Sequence, residues 1–179
     1  MGSFNRIAIT LSLLLSLSLS YGQEHGKEKS EHHGGSESEG ESSHCLLEEN
    51  GFTIGLGAVY LIDKETIGLH SRFYYNIGEH ICFGPEVSLF KKGELSIYDI
   101  DLVAHYIFET KIVGIYPLLG ANYTYETYEN SNQTKDALGV VFGVGVHRSF
   151  NKFIAFGEVS RVQSALADNF ATVGLMYSF

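Results

Sequence analysis

The sequence predicts an all-β chain: an eight-stranded antiparallel transmembrane up-and-down β-barrel with a disordered N-terminal tail. Three observations predict it. After residue 50, segments of about ten residues alternate apolar and polar side chains, as strands between two different solvents do. That region has only Pro85 and Pro117 and is rich in Gly, Tyr, Phe, Val and Ile, with no sustained helical period. The final stretch, F-A-T-V-G-L-M-Y-S-F (170–179), alternates with Ala171, Val173, Leu175, Tyr177 and Phe179 on one face.

Residues 1–22 read as a secretory signal peptide. Arg6 supplies a positive start, 7–19 an apolar stretch broken by serines, and Ser20-Tyr21-Gly22 a small-residue site before Gln23. The apolar stretch falls short of the ~20 residues that a spanning helix needs. Residues 23–50 differ from everything after them. Eight carboxylates stand there against Lys27 and Lys29, leaving −6 of the chain's −9. Up to about Ser43 there is nothing to bury, so this acidic, His-rich tail is expected to be disordered and periplasmic. The third region, 51–179, carries 9 basic and 13 acidic side chains without a basic patch, which argues against nucleic acid.

Strands are expected at about 52–61, 66–76, 81–90, 94–108, 112–126, 136–148, 153–163 and 169–179, each near the ~9–11 residues of a tilted membrane strand. Polar breaks separate them. Three look alike: Y-N-I-G-E-H-I (75–81), Y-I-F-E-T-K-I (106–112) and S-F-N-K-F-I (149–154). These are the second, fourth and sixth connections, the short periplasmic turns of an even-stranded barrel. The longest break, 128–136, falls on the outer side.

Alternation assigns the faces. Tyr98, Ile100, Leu102, Ala104, Tyr106 and Phe108 form one stripe, opposed by Asp99, Asp101 and His105. Val140, Phe142, Val144 and Val146 oppose Gly139, Gly143, Gly145 and His147. A soluble sandwich or lipocalin-like barrel would invert this, with apolar side chains inward. The membrane reading is favoured because the apolar stripes end in Tyr and Phe, as an interfacial girdle does. The seventh strand fits least well: with Glu158 inward, Arg161 faces lipid, where a cation is tolerated only near the rim.

With its signal peptide, its eight alternating segments, I-Y-P-L-L-G-A-N-Y-T-Y (115–125) and G-L-M-Y-S-F (174–179), the region 51–179 resembles the small OmpX-like outer-membrane β-barrels of Gram-negative bacteria. The resemblance implies residence in the outer membrane, with lipid and lipopolysaccharide as neighbours. It also implies that the closing strand ending at Phe179 is read by the barrel-insertion machinery. It supplies no catalytic motif and no cofactor, and family roles range from envelope integrity to adhesion and solute permeation; the short loops here argue against adhesion.

Three candidate chemistries follow. His70, Arg72, Glu86, Asp99, Asp101, His105 and Glu158 face inward, where an eight-stranded barrel has room only for side chains to fill, so a mutually satisfied polar plug is expected rather than a conducting path. His25, His32, His33 and His44 lie among carboxylates beside Cys45, a set suited to weak binding of Zn²⁺, Cu²⁺ or Ni²⁺; a metal- or proton-related role carried by the tail, with His80, His105 and His147 near the periplasmic rim, is the alternative to a non-enzymatic envelope role. His147-Arg148-Ser149 with Glu158 resembles the His-x-Ser and Glu of outer-membrane lipid A deacylases, but the surrounding residues of that family are absent and His147 sits on the small-residue face. Spacing does not establish a disulfide between Cys45 and Cys82.

Overall fold

In a computed structural model, residues 50–110, 112–131 and 133–179 are described. They form a closed antiparallel barrel from nine strands: β1 (Phe52–Leu61), β2 (Thr66–Asn76), β3 (Ile81–Lys92), β4 (Leu95–Tyr106), β5 (Phe108–Glu109), β6 (Gly114–Tyr128), β7 (Gln133–Phe150), β8 (Phe153–Gln163) and β9 (Asp168–Ser178). Each long strand pairs with its chain neighbours, and β1 pairs with β9 to close the cylinder, Thr53 opposite Ser178 and Leu61 opposite Phe170. Closure removes both sheet edges, which hydrocarbon requires because it offers no partner to a free N–H or C=O.

The two-residue β5 prolongs β4, so the barrel has eight staves. The interruption between them has a chemical cause. Pairing of β4 with β6 runs to His105 opposite Leu118 and resumes in the same register at Phe108 opposite Ile115. The gap faces Pro117, which has no N–H to give to the ladder. The Ile107 amide instead donates to the His80 carbonyl at 2.7 Å.

The outward face is hydrocarbon. Leu56, Leu69, Leu102, Leu119 and Leu138 are all more than half exposed. Aromatic rings border the band. At the end where β1 begins and β9 finishes (the termini end of the described residues) they are Phe52, Phe73, Tyr75, Phe83, Tyr106, Phe108, Phe150, Phe153, Tyr177 and Phe179, with Phe52 stacked on Phe73 at 5.5 Å and Tyr177 edge-on to Phe179 at 5.0 Å. At the far end Tyr98 lies 6.2 Å from Tyr125. From Phe52 to Tyr60, or from Phe108 to Tyr98, eight to ten residues rise roughly 20–25 Å at ~40° of tilt, close to the ~25 Å band of an outer-membrane barrel.

The structure corrects one expectation of length. The outer connection expected over 128–136 is shorter, with its turn at 129–131, because Gln133 to Asp136 pair with Tyr128 to Tyr125. Polar side chains there need no apolar face once the hairpin has cleared the lipid. The β7 segment 133–139 has β6 alone as partner, since pairing with β8 starts at Val140 opposite Gln163.

Candidate functional site: the filled lumen

Alternation of the strands turns a second set of residues inward. His70, Arg72, Glu86, Asp99, Asp101, His105 and Glu158 are all buried. Arg72 is the hub for three of them, His70, Glu86 and Glu158. Its Nε and Nη2 lie 3.0 and 2.9 Å from His70 Nε2, Nη2 lies 3.3 Å from Glu86 Oε1, and Nη1 lies 3.4 Å from Glu158 Oε2. The guanidinium plane rests 3.9 Å over the Phe156 ring, the stacked placement that suits Arg and not Lys. A guanidinium only donates, so His70 Nε2 is an acceptor and the ring proton sits on Nδ1, 2.9 Å from Ser88 Oγ.

Two tyrosines complete this belt. Tyr74 donates to Glu86 Oε1, and its hydroxyl lies 3.3 Å from His105 Nε2. Tyr116 donates to Glu158 Oε2 at 3.1 Å. Asp99 and Asp101 form a separate pair toward the far end. Asn122 Nδ2 donates to both, to Asp101 Oδ1 at 2.8 Å, and Thr124 Oγ1 lies 3.3 Å from Asp99 Oδ2. Every carboxylate of the set therefore has at least one donor, which is the condition for burying charge without a large penalty.

Above the polar belt the lumen is apolar. Val59, Leu61, Phe90, Ile97, Val162 and Phe170 are buried, with Phe90 and Phe170 centroids 6.0 Å apart. Over them Lys64, from the β1–β2 turn, reaches Asp168 Oδ2 at 2.6 Å and Glu126 Oε1 at 3.1 Å. Burial draws the Lys64 ammonium down, but the carboxylates of Asp168 and Glu126 outweigh it and hold its pKa above the ordinary lysine value.

At the termini end a cavity of about 10 Å³ is lined by Thr53, Tyr74, Cys82, His105, Ile107, Tyr116, His147 and Met176. That is room for one water-sized occupant. Rings meet across its wall: Tyr74 edge-on to His105 at 4.8 Å, His105 stacked on Tyr116 at 4.8 Å and Tyr116 tilted against His147 at 5.6 Å.

The other sequence candidates are placed as follows. His80 is exposed in the β2–β3 turn, with Nδ1 3.1 Å from the Ile107 carbonyl. His147 is buried and Ser149 is on the same inward face, so the His-x-Ser pair points away from the lipid that a deacylase would attack. Cys82 is buried on the inner wall, opposite His105 in the ladder, while Cys45 lies outside the described residues. His25, His32, His33 and His44 also lie outside them. Arg161 points outward two residues before the far end of β8, opposite Asn169, and Lys91 points outward near the same rim.

One set of three carboxylate or imidazole groups among the described residues has its donor atoms mutually within 4.8 Å: Glu86, His105 and Glu158. The Arg72 guanidinium, 3.3 and 3.4 Å from the two carboxylates, already supplies the positive charge there. These residues fit an internal ion pair and not a metal centre.

No protein-family model matches the sequence, and no curated protein matches it either. Solved structures do. The N-terminal β-barrel domain of Pseudomonas aeruginosa OprF aligns at a TM-score of 0.64 with 15% identity, over 73% of this chain and 98% of that one. OprG from Pseudomonas aeruginosa aligns at 0.56 with 14% identity, over 74% and 97%. Ail, the attachment invasion locus protein of Yersinia pestis, aligns at 0.55 with 15% identity, over 74% and 100%. At such identities the likeness is one of fold: the chain has the architecture of the small eight-stranded outer-membrane β-barrels.

Proposed function

We propose that the protein is a non-enzymatic element of the bacterial outer membrane, a closed stave that stabilises the envelope and presents a surface, and not a conduit for solutes. The observation that carries this reading is the filled lumen. An apolar plug from Val59 to Phe170, a polar belt around Arg72, and a remaining void of about 10 Å³ leave no room for a hydrated solute. The N-terminal tail and the three turns at the termini end then face the periplasm, as short turns do in this architecture.

The partner the surface suits is the anionic outer leaflet. Arg161 stands outward at the far rim, where lipopolysaccharide presents phosphates, and Lys91, at the same rim, is shared with Glu129. The outward aromatic stripe of β9, ending at Tyr177 and Phe179, is the part offered to the insertion machinery.

The test is reconstitution into planar bilayers of protein whose band on an unboiled gel runs at a different mobility from the boiled band. The reading expects no steady conductance, and none after Arg72 has been left intact and only the rim residues Arg161 and Lys91 replaced by Gln. A steady single-channel current from the folded protein overturns it.

A further inference from the structure

The cavity at the termini end has a wall that the closed-stave reading does not use. Four of its lining side chains are soft or borderline metal donors: the thiol of Cys82, the imidazoles of His105 and His147, and the thioether of Met176. Their strands are separate: β3, β4, β7 and β9. All four residues fall within four positions of the strand end at the same rim.

We propose that this cavity is a binding site for a thiophilic d¹⁰ cation of the Cu(I) class, held by Cys82 and His147 with His105 and Met176 completing the shell. Thiolate and thioether donors with imidazole select such an ion over the hard cations that carboxylates prefer. The volume, about 10 Å³, suits one small occupant. On binding, the Cys82 S–H bond breaks, the proton leaves to solvent and an S–Cu bond forms. Copper stays at the +1 state, and no electron is exchanged. The product, thiolate plus monovalent ion, is neutral, so it enters an apolar cavity without leaving a net charge there. A divalent ion on one thiolate would leave one, and the nearby Glu86 and Glu158 are already answered by Arg72.

The wall is cut to fit these side chains. A Cβ on Gly114 would lie 2.4 Å from His147 Nε2, and one on Gly55 would lie 2.7 Å from Met176 Cγ. Gly114 thus leaves room for the His147 ring, and Gly55 for the Met176 side chain together with that of Arg72, whose Cγ would lie 2.8 Å from the same Cβ. His105 Nε2 lies 3.3 Å from the Tyr74 hydroxyl, whose own proton goes to Glu86, so an Nε2–H can donate to that oxygen and leave Nδ1 to offer a lone pair. Cys82, His105 and His147 line the void without all three donor atoms coming within 4.8 Å of one another, so binding requires side-chain rotation. Ser149 and Ser178, nearer the strand ends at the same rim, have buried hydroxyls without a hydrogen-bond partner.

The test uses the full chain with His25, His32, His33 and His44 replaced by Ala and Cys45 by Ser, so that the lumen alone reports. Cu(I), kept reduced with ascorbate under argon, is titrated in competition with bicinchoninate, and the copper K-edge is recorded. The proposal expects one Cu(I) per chain with sulfur and nitrogen scatterers. C82S should lose more than the ~10–100-fold that removal of an outer-shell partner costs. M176L should keep the fold and lose one sulfur scatterer. Heat-dependent gel mobility of each variant certifies folding, and the edge spectrum of the chain carrying Cys82 reads the ligands without needing a lumen variant. A folded chain that binds no Cu(I), an edge without sulfur, or undiminished binding in folded C82S overturns the proposal. None of these outcomes bears on the conductance measurement, so the closed-stave reading stands or falls separately.

Discussion

The two ends of the lumen are closed by opposite chemistry. The far end is shut by hydrocarbon, Leu61, Phe90, Ile97, Val162 and Phe170, and capped by Lys64 between Glu126 and Asp168. The termini end is lined by a thiol, imidazoles, phenols and small hydroxyls, two of them unpartnered, around a small void. The Arg72 belt divides them. The difference shows where a barrel this narrow can carry chemistry: packing that excludes water is concentrated on one side, and the other is left adaptable.

The largest expected effect comes from the divider. Arg72→Met leaves Glu86 and Glu158 buried without a cation and should cost about 3–5 kcal/mol, read by urea unfolding in detergent. Adding Glu86→Gln and Glu158→Gln should restore most of it; no recovery would mean that Arg72 acts through packing on Phe156 instead. Next is the plug: Leu61→Ala should cost about 2–5 kcal/mol, and a cost under half of that range would remove the contrast between the ends.

Lys64→Met should cost about 1–3 kcal/mol by leaving two carboxylates at the cap unanswered. Because Lys64 titrates higher in the folded state than in the unfolded one, its contribution is complete below the ordinary lysine pKa of about 10.4. It is lost as pH rises through the raised folded value. The gap between parent and variant should thus be flat from pH 7 to 10 and shrink beyond. The smallest effect belongs to the termini end. Ser178→Ala removes a buried hydroxyl with no partner and should be neutral or stabilising by less than about 1 kcal/mol. A clear loss would show that the hydroxyl is held after all.

The strands were legible because lipid and lumen impose opposite demands on successive side chains. β1, β2 and β8 fall over 52–61, 66–76 and 153–163 as the alternation indicates. The outer part of β7 was not legible, since beyond the lipid Thr134, Lys135 and Asp136 obey no apolar alternation and look like a loop. Inward charges stood out against apolar neighbours. The far plug did not, because Val59, Leu61 and Phe90 are as apolar as the lipid-facing residues beside them. Lys64 meets Asp168 across 104 positions of chain, a pairing that no local spacing carries. Cys82, Met176 and the glycines behind Met176 and His147 share a place only once the cylinder closes.

That closure has a consequence in time. The β1–β9 ladder joins residue 53 to residue 178, so the first stave made is the last to be satisfied. From the moment it forms, β1 presents a bare edge on one side, and only the arrival of β9 can cover it. The seam has the longest chain separation of any strand pairing among the described residues, and loop closure over that length is the slowest search among them. The barrel should therefore zip around its circumference and lock in a single late event, with its interior open to solvent until the last stave docks.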